Sequence, residues 1–132
     1  MTTKISPYAS SVHLISPDGK FTANIDGALE HRMGSITFGT LLISNGTSYE
    51  SCNPVIIWSD DSKYLAAQQL TPYMRLKVLV IAVEEKRYGY APGYFALLEF
   101  HSFSQEKIKG VEFADTTRTS EIEIDVSQVR WK

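Results

Sequence analysis

Two short segments of this chain repeat one another at a distance of 43 residues, and that repeat limits the fold more than any other feature. Ile15-Ser16-Pro17-Asp18-Gly19-Lys20-Phe21-Thr22-Ala23 aligns with Trp58-Ser59-Asp60-Asp61-Ser62-Lys63-Tyr64-Leu65-Ala66. Each reads as the apolar end of one strand, a Ser, a tight turn, then Lys and an aromatic that open the returning strand. Asp suits such a turn because its carboxylate caps nearby backbone, and Gly because it accepts positive φ.

A period of about 40–45 residues is that of a four-stranded propeller blade. The turn resembles the hairpin that joins two strands in TolB-type and WD-repeat-like propellers. The remaining sequence fits that frame as all-β. Strands are expected near 12–15, 20–26, 36–44 and 47–51 for a first unit over 11–51. A second unit over 54–103 takes 55–58, 63–69, 75–84 and 94–103, and extra strands follow at 107–113 and 121–126 within 107–126. That makes about eight to ten antiparallel strands, a partial (half) propeller-like array in two blade-like units, in one domain of 132 residues. Asn45-Gly46 marks a hairpin turn, which also accounts for the Asn-Gly-Thr glycosylation pattern. Residues 71–85 carry a second possibility, a helix with Thr71 as N-cap and Pro72 at its first position. The β-branched residues of Val78–Val83 and the third-strand slot favour a buried strand.

A closed propeller needs at least four blades, about 160 residues. The chain has room for two. A half-propeller array leaves faces and edges that want a cover, so a binding partner is expected before a reaction.

Composition agrees. With 13 basic and 15 acidic residues the net charge is −2, which gives no footing for nucleic acid. No apolar run approaches the roughly 20 residues that span a bilayer, and the first residues lack the apolar stretch of an export signal. With a single cysteine, Cys52, a reducing cytoplasm is the expected location. There is no CxxC, HExxH, GxSxG, P-loop or GxGxxG, so no catalytic residue, metal or cofactor is expected. Glu99 and His101 form the one acid–base spacing, more simply read as a solvent-facing pair. Glu30-His31 lacks further metal ligands and reads as a polar contact loop. Cys52 reads as a small buried thiol, and Trp58, Phe21 and Tyr64 read as core aromatics.

Two stretches stand out for recognition. Lys86–Phe95 reads as a loop that sets Tyr88, Tyr90 and Tyr94 among Gly and Pro, either as a contact surface, since tyrosine is enriched at interfaces, or equally folded back to cap the core with its rings packed internally. Glu121-Ile122-Glu123-Ile124-Asp125-Val126 alternates strictly, so Glu121, Glu123 and Asp125 share one face. A solvated outer face, or an edge strand charged against aggregation, is the simpler reading of that row. Asp60, Asp61, Glu84 and Glu85 are further acidic turn residues.

As a whole the chain resembles a contact-dependent growth inhibition immunity protein, CdiI, of the half-propeller kind. The resemblance is carried by Lys4-Ile5-Ser6-Pro7-Tyr8-Ala9, the 16–23 turn unit, Ser44-Asn45-Gly46-Thr47-Ser48-Tyr49, Trp58-Ser59-Asp60-Asp61-Ser62 and Tyr88-Gly89-Tyr90-Ala91-Pro92-Gly93-Tyr94. It implies a non-enzymatic inhibitor that forms a 1:1 heterodimer with the C-terminal toxin domain of a CdiA-like effector. The toxin would resemble ribonuclease A. A nuclease cleft is basic, so acidic residues and aromatic anchors are the expected contacts: Tyr88, Tyr90, Tyr94, Glu30, His31, Asp60, Asp61, Glu84, Glu85, Glu121, Glu123 and Asp125. The competing expectation is a structural module that closes a propeller by pairing with a second copy of itself.

Overall fold

The computed structural model describes residues 5–115 and 117–132. Lys4, the first residue of the opening motif, and residues 1–3, which enter the export-signal expectation, lie outside the described residues.

The fold is all-β and antiparallel. Its strands are β1 (Val12–Ile15), β2 (Thr22–Ile25), β3 (Leu29–Glu30), β4 (Thr37–Ile43), β5 (Ser48–Trp58), β6 (Tyr64–Leu70), β7 (Leu76–Ala82) and β8 (Arg87–Tyr90). β9 (Leu97–Ser104), β10 (Lys107–Phe113), β11 (Thr119–Asp125) and β12 (Arg130–Trp131) complete it. One sheet runs β1-β2-β4-β5-β6-β7-β8-β12, with β3 paired to β4, and a second runs β11-β10-β9.

The repeated turns are built from the same bonds. Ser16 Oγ donates to Asp18 Oδ1 at 2.7 Å, the Lys20 N–H donates to the same oxygen, and the Phe21 N–H donates to Ser16 Oγ. Ser59, Asp61, Lys63 and Tyr64 reproduce all three bonds. Gly19 and Ser62 occupy the matching positive-φ position, so the second copy accepts strain that Gly avoids in the first. The copies also touch: the Asp18 N–H donates to Ser62 Oγ at 2.9 Å.

Where two separate strands were expected at 47–51 and 55–58, β5 is continuous across Cys52-Asn53-Pro54. A β-bulge between Cys52 and Ile56 absorbs the irregularity, and a bulge is where a strand tolerates proline. Buried Asn53 replaces the missing ladder bonds. Its Nδ2 donates to the Thr37 and Pro7 carbonyls, and its Oδ1 accepts the Val55 N–H. The N-terminal half of β5 pairs with β4 and the C-terminal half with β6, so one sheet joins the first expected unit to three strands of the second, while the strand expected to complete that unit, 94–103, is β9 of the other sheet.

Residues 76–82 are strand, as the β-branched run indicated. β6 and β7 are covered on both faces. Leu65, Ala67, Leu79 and Ile81 join a cluster with Ile25, Leu41, Ile43, Ile56 and Trp58. Ala66, Val78 and Val80 join the opposite cluster with Leu98, Phe103, Ile108, Ile124 and Val126. Two-faced burial is why this stretch is apolar without alternation.

Gln68 is the polar exception on β6. It is fully buried, its Nε2 donates to the Ala96 carbonyl at 2.9 Å, and its Oε1 accepts the Leu98 N–H at 2.8 Å. That amide ties the first sheet to the entry of β9. Replacing it by Met keeps the length but orphans two backbone groups, each costing about 1–3 kcal/mol, partly offset by the apolar gain. Gln68→Met is therefore expected to lower unfolding free energy by about 2 kcal/mol, read as a reduced urea midpoint with unchanged slope.

Candidate functional site

The segment expected to be a Tyr-rich loop is half strand. Arg87–Tyr90 forms β8 against β7, with Val80 opposite Gly89 and Ile81 opposite Tyr88. The correction has a local cause. Val83–Lys86 closes a tight turn with Lys86 at positive φ, and alternating Tyr-Gly-Tyr then extends naturally. Gly89 carries no Cβ, and one built there would sit 2.6 Å from the Arg130 carbonyl and 2.8 Å from Trp131 Cα. Its absence is what lets β12 close on β8.

Tyr88 and Tyr90 share a face and meet Tyr49, which the sequence did not single out. Tyr88 lies edge-on to Tyr49 at 5.6 Å and to Tyr90 at 6.1 Å between ring centroids. Tyr90 donates its hydroxyl proton to Gln69 Oε1 at 2.5 Å. Burial raises its pKa, and the neighbouring Tyr88, Cys52 and Tyr49 add to that. Tyr94 joins through cations: the Arg75 guanidinium lies 4.4 Å over its ring, and Lys77 Nζ lies 5.1 Å from Tyr94 and 5.5 Å from Tyr90. The three expected tyrosines therefore belong to one surface, but its charged members are Arg75 and Lys77. Their i, i+2 spacing on an expected strand was the available signal.

The expected carboxylates divide. Glu30, on β3 and not in a loop, accepts the Gly34 N–H at 2.9 Å, while His31 beside it is exposed. Among the described residues no three His, Cys, Asp or Glu side chains group as metal ligands would. Glu121 and Glu123 lie exposed on β11, and Glu123 makes a 3.7 Å ion pair with Lys109. Asp125 accepts the Ser127 N–H, which, with a smaller contribution from Lys107, lowers its pKa. The alternation of this row holds, since Ile124 and Val126 are buried. Asp60 and Glu84 are exposed turn residues.

Asp61 and Glu85 do converge, with Glu106, on Tyr64. Burial raises the Tyr64 pKa, and the charges of Glu106, Asp61 and Glu85 raise it further. Tyr64 stacks on Phe103 and tilts toward Trp131 at 6.2 Å. Tyr64 and Trp131 border a pocket of about 240 Å³ lined also by Ala82, Glu85, Arg87 and Glu106 among others. Arg87 lies 5.7 Å over the Trp131 ring. Tyr64 is thus a pocket wall as well as the support of the second core, a position its sequence repeat with Phe21 did not disclose.

A larger groove of about 940 Å³ runs between β1, β5 and β9, lined by Leu14, Ile57, Trp58, Phe100, His13 and His101 among others. His101 and Glu99 pair at 3.0 Å, and His13 pairs with Asp26 at 2.8 Å. Trp58 is in the core, with its indole N–H donated to the Leu14 carbonyl. Cys52 is buried, and desolvation pushes its thiol up to about 12. A thiol held protonated at neutral pH is a poor nucleophile. Among the described residues no helix is long and apolar enough to cross a membrane.

The turn carboxylates titrate with folding. The Lys20 N–H, then the Ser16 hydroxyl, lowers Asp18 below its ordinary 3.8. For Asp61, burial opposes the charge, but the Ser59 and Lys63 hydrogen bonds outweigh it and the pKa again falls below 3.8. A depressed folded pKa contributes stability above the unfolded value, and this is lost as pH falls through the folded one. Asp61→Asn, which keeps an acceptor and removes the titration, is expected to shallow the drop in melting temperature between about pH 5 and pH 2. Thermal melts across that range check it.

No protein-family model, curated protein or solved structure matches this chain.

Proposed function

We propose that the chain is a non-enzymatic immunity protein. It binds the C-terminal toxin domain of a contact-dependent growth inhibition effector one to one, in the cytoplasm, and keeps substrate from the toxin. The toxin is a ribonuclease, and the strand array is an open, half-propeller-like platform for it. The observation that carries this reading is the aromatic-walled pocket at Tyr64 and Trp131, lined by Glu85, Glu106 and Arg87 with Asp61 nearby. Arg87 already lies over Trp131, so the Tyr64 ring and the carboxylates are the groups that suit an inserted lysine or arginine. A phosphate-binding cleft supplies such residues.

The pocket also favours a protein ligand over a small one. At about 240 Å³ it lies below the 300–1,000 Å³ usual for small-molecule sites, yet it takes one side chain. Interfaces concentrate their energy in a few such anchors.

Calorimetric titration with a catalytically inactive toxin domain, encoded by the gene adjacent to this one, tests the proposal. Wild type is expected to bind 1:1 with nanomolar affinity, and Glu85→Lys/Glu106→Lys to bind at least about tenfold more weakly. Absence of wild-type binding, together with a stable homodimer by solution mass, would replace inhibition with self-assembly.

A further inference from the structure

We propose that a second surface, formed by Arg75, Lys77, Tyr90 and Tyr94 with Tyr73 and Met74 beside them, docks an acidic segment of a protein partner. The proposal rests on the reading of this chain as a protein-binding module and goes beyond it, because it reverses the charge expected of the partner at this end.

Geometry brings the group together. Thr71–Arg75 turns β6 into β7, closed by the Thr71 N–H donating to the Arg75 carbonyl at 2.8 Å. The Phe95 N–H donates to the Leu76 carbonyl at 3.0 Å, which brings Tyr94 against the residues on either side of Leu76. Arg75 and Lys77 therefore point the same way over the tyrosine rings. Arg75 at 4.4 Å and Lys77 at 5.1 Å from the Tyr94 centroid are held by the ring quadrupole and remain free to donate outward.

Charge selects the occupant. Among the described residues neither cation has an ion-pair partner: the ion pairs are His13–Asp26, His101–Glu99, Lys109–Glu123 and Arg118–Asp115. Glu112 reaches the same loop but turns its carboxylate to the Ala96 N–H at 2.8 Å. Around the cations stand apolar surfaces open to water, with Tyr73 81%, Met74 46% and Tyr94 45% exposed. Rings and a thioether beside two unpaired cations suit an acidic segment that also carries apolar side chains. A polyphosphate backbone fits less well. It rewards an extended run of cations, and this chain is net acidic.

The experiment is a titration of the isotope-labelled full chain with a short acetylated peptide rich in glutamate and leucine, followed by amide NMR. Shifts centred on residues 73–77 and 90–95 are expected. Arg75→Glu/Lys77→Glu should weaken binding at least about tenfold, and added salt should weaken it in wild type. Arg75→Gln/Lys77→Gln, which adds no repulsion, should show the same direction with an unchanged melting temperature. Glu85→Gln/Glu106→Gln, which creates no new basic patch, should bind the peptide like wild type, so failure of the toxin-binding pocket and failure of this surface are read separately. Scattered or absent shifts would overturn the proposal. So would equal binding by the charge-reversed variant, or tighter binding of a single-stranded oligouridylate at the same residues.

Discussion

The buried amide of Gln68 holds a position on which the two-sheet arrangement depends. β6 and β7 are apolar on both faces, so they offer the second sheet no preferred register by hydrophobic contact alone. Gln68 supplies one by pairing both its donor and its acceptor with the backbone at the entry of β9. From there β9 carries Leu98 and Phe103 into the second cluster, where β10 and β11 add Ile108 and Ile124. The Asp60 N–H donates to the Phe103 carbonyl at 2.9 Å, a second backbone tie at the far end of β9. Directional bonds at two points fix what apolar packing leaves loose.

That arrangement separates charge on the surface. β7 spans seven residues, about 20 Å at 3.3 Å per residue. Arg75 and Lys77 stand at its start, and Glu84 and Glu85, followed by Lys86 and Arg87, in and after the turn beyond its end. A basic end and a mixed-charge end, with aromatic surfaces at both, give a partner an orientation as well as a contact. In water such charges contribute more to steering and register than to raw affinity.

Local chemistry made much of the fold legible. Ser, Asp and Lys in the two turns form their bonds within six residues, so their repeat reports the same geometry twice. Strict alternation placed β11, and β-branched crowding placed β7. Legibility failed at Cys52–Pro54 and at Tyr88–Tyr90. Asn53 keeps β5 continuous by bonding residues 16 and 46 positions away. At Tyr88–Tyr90 the hairpin that sets β8 against β7 is local, but the approach of β12 over Gly89 comes from the far end of the chain. The Asn53 bonds and the β12 contact depend on partners that no local window contains.

The candidate site divides along the same line. Sequence alone determined the all-β class, the paired turns, a buried strand in the β7 region and the clustering of three tyrosines, because each follows from neighbours a few residues apart. Tertiary structure alone decided the company those side chains keep. Arg75 and Lys77 sit against Tyr90 and Tyr94, and Asp61, Glu85 and Glu106 gather about Tyr64, because antiparallel pairing of β6, β7 and β8 sets distant residues side by side. Register, a property of strand pairs, carries that information.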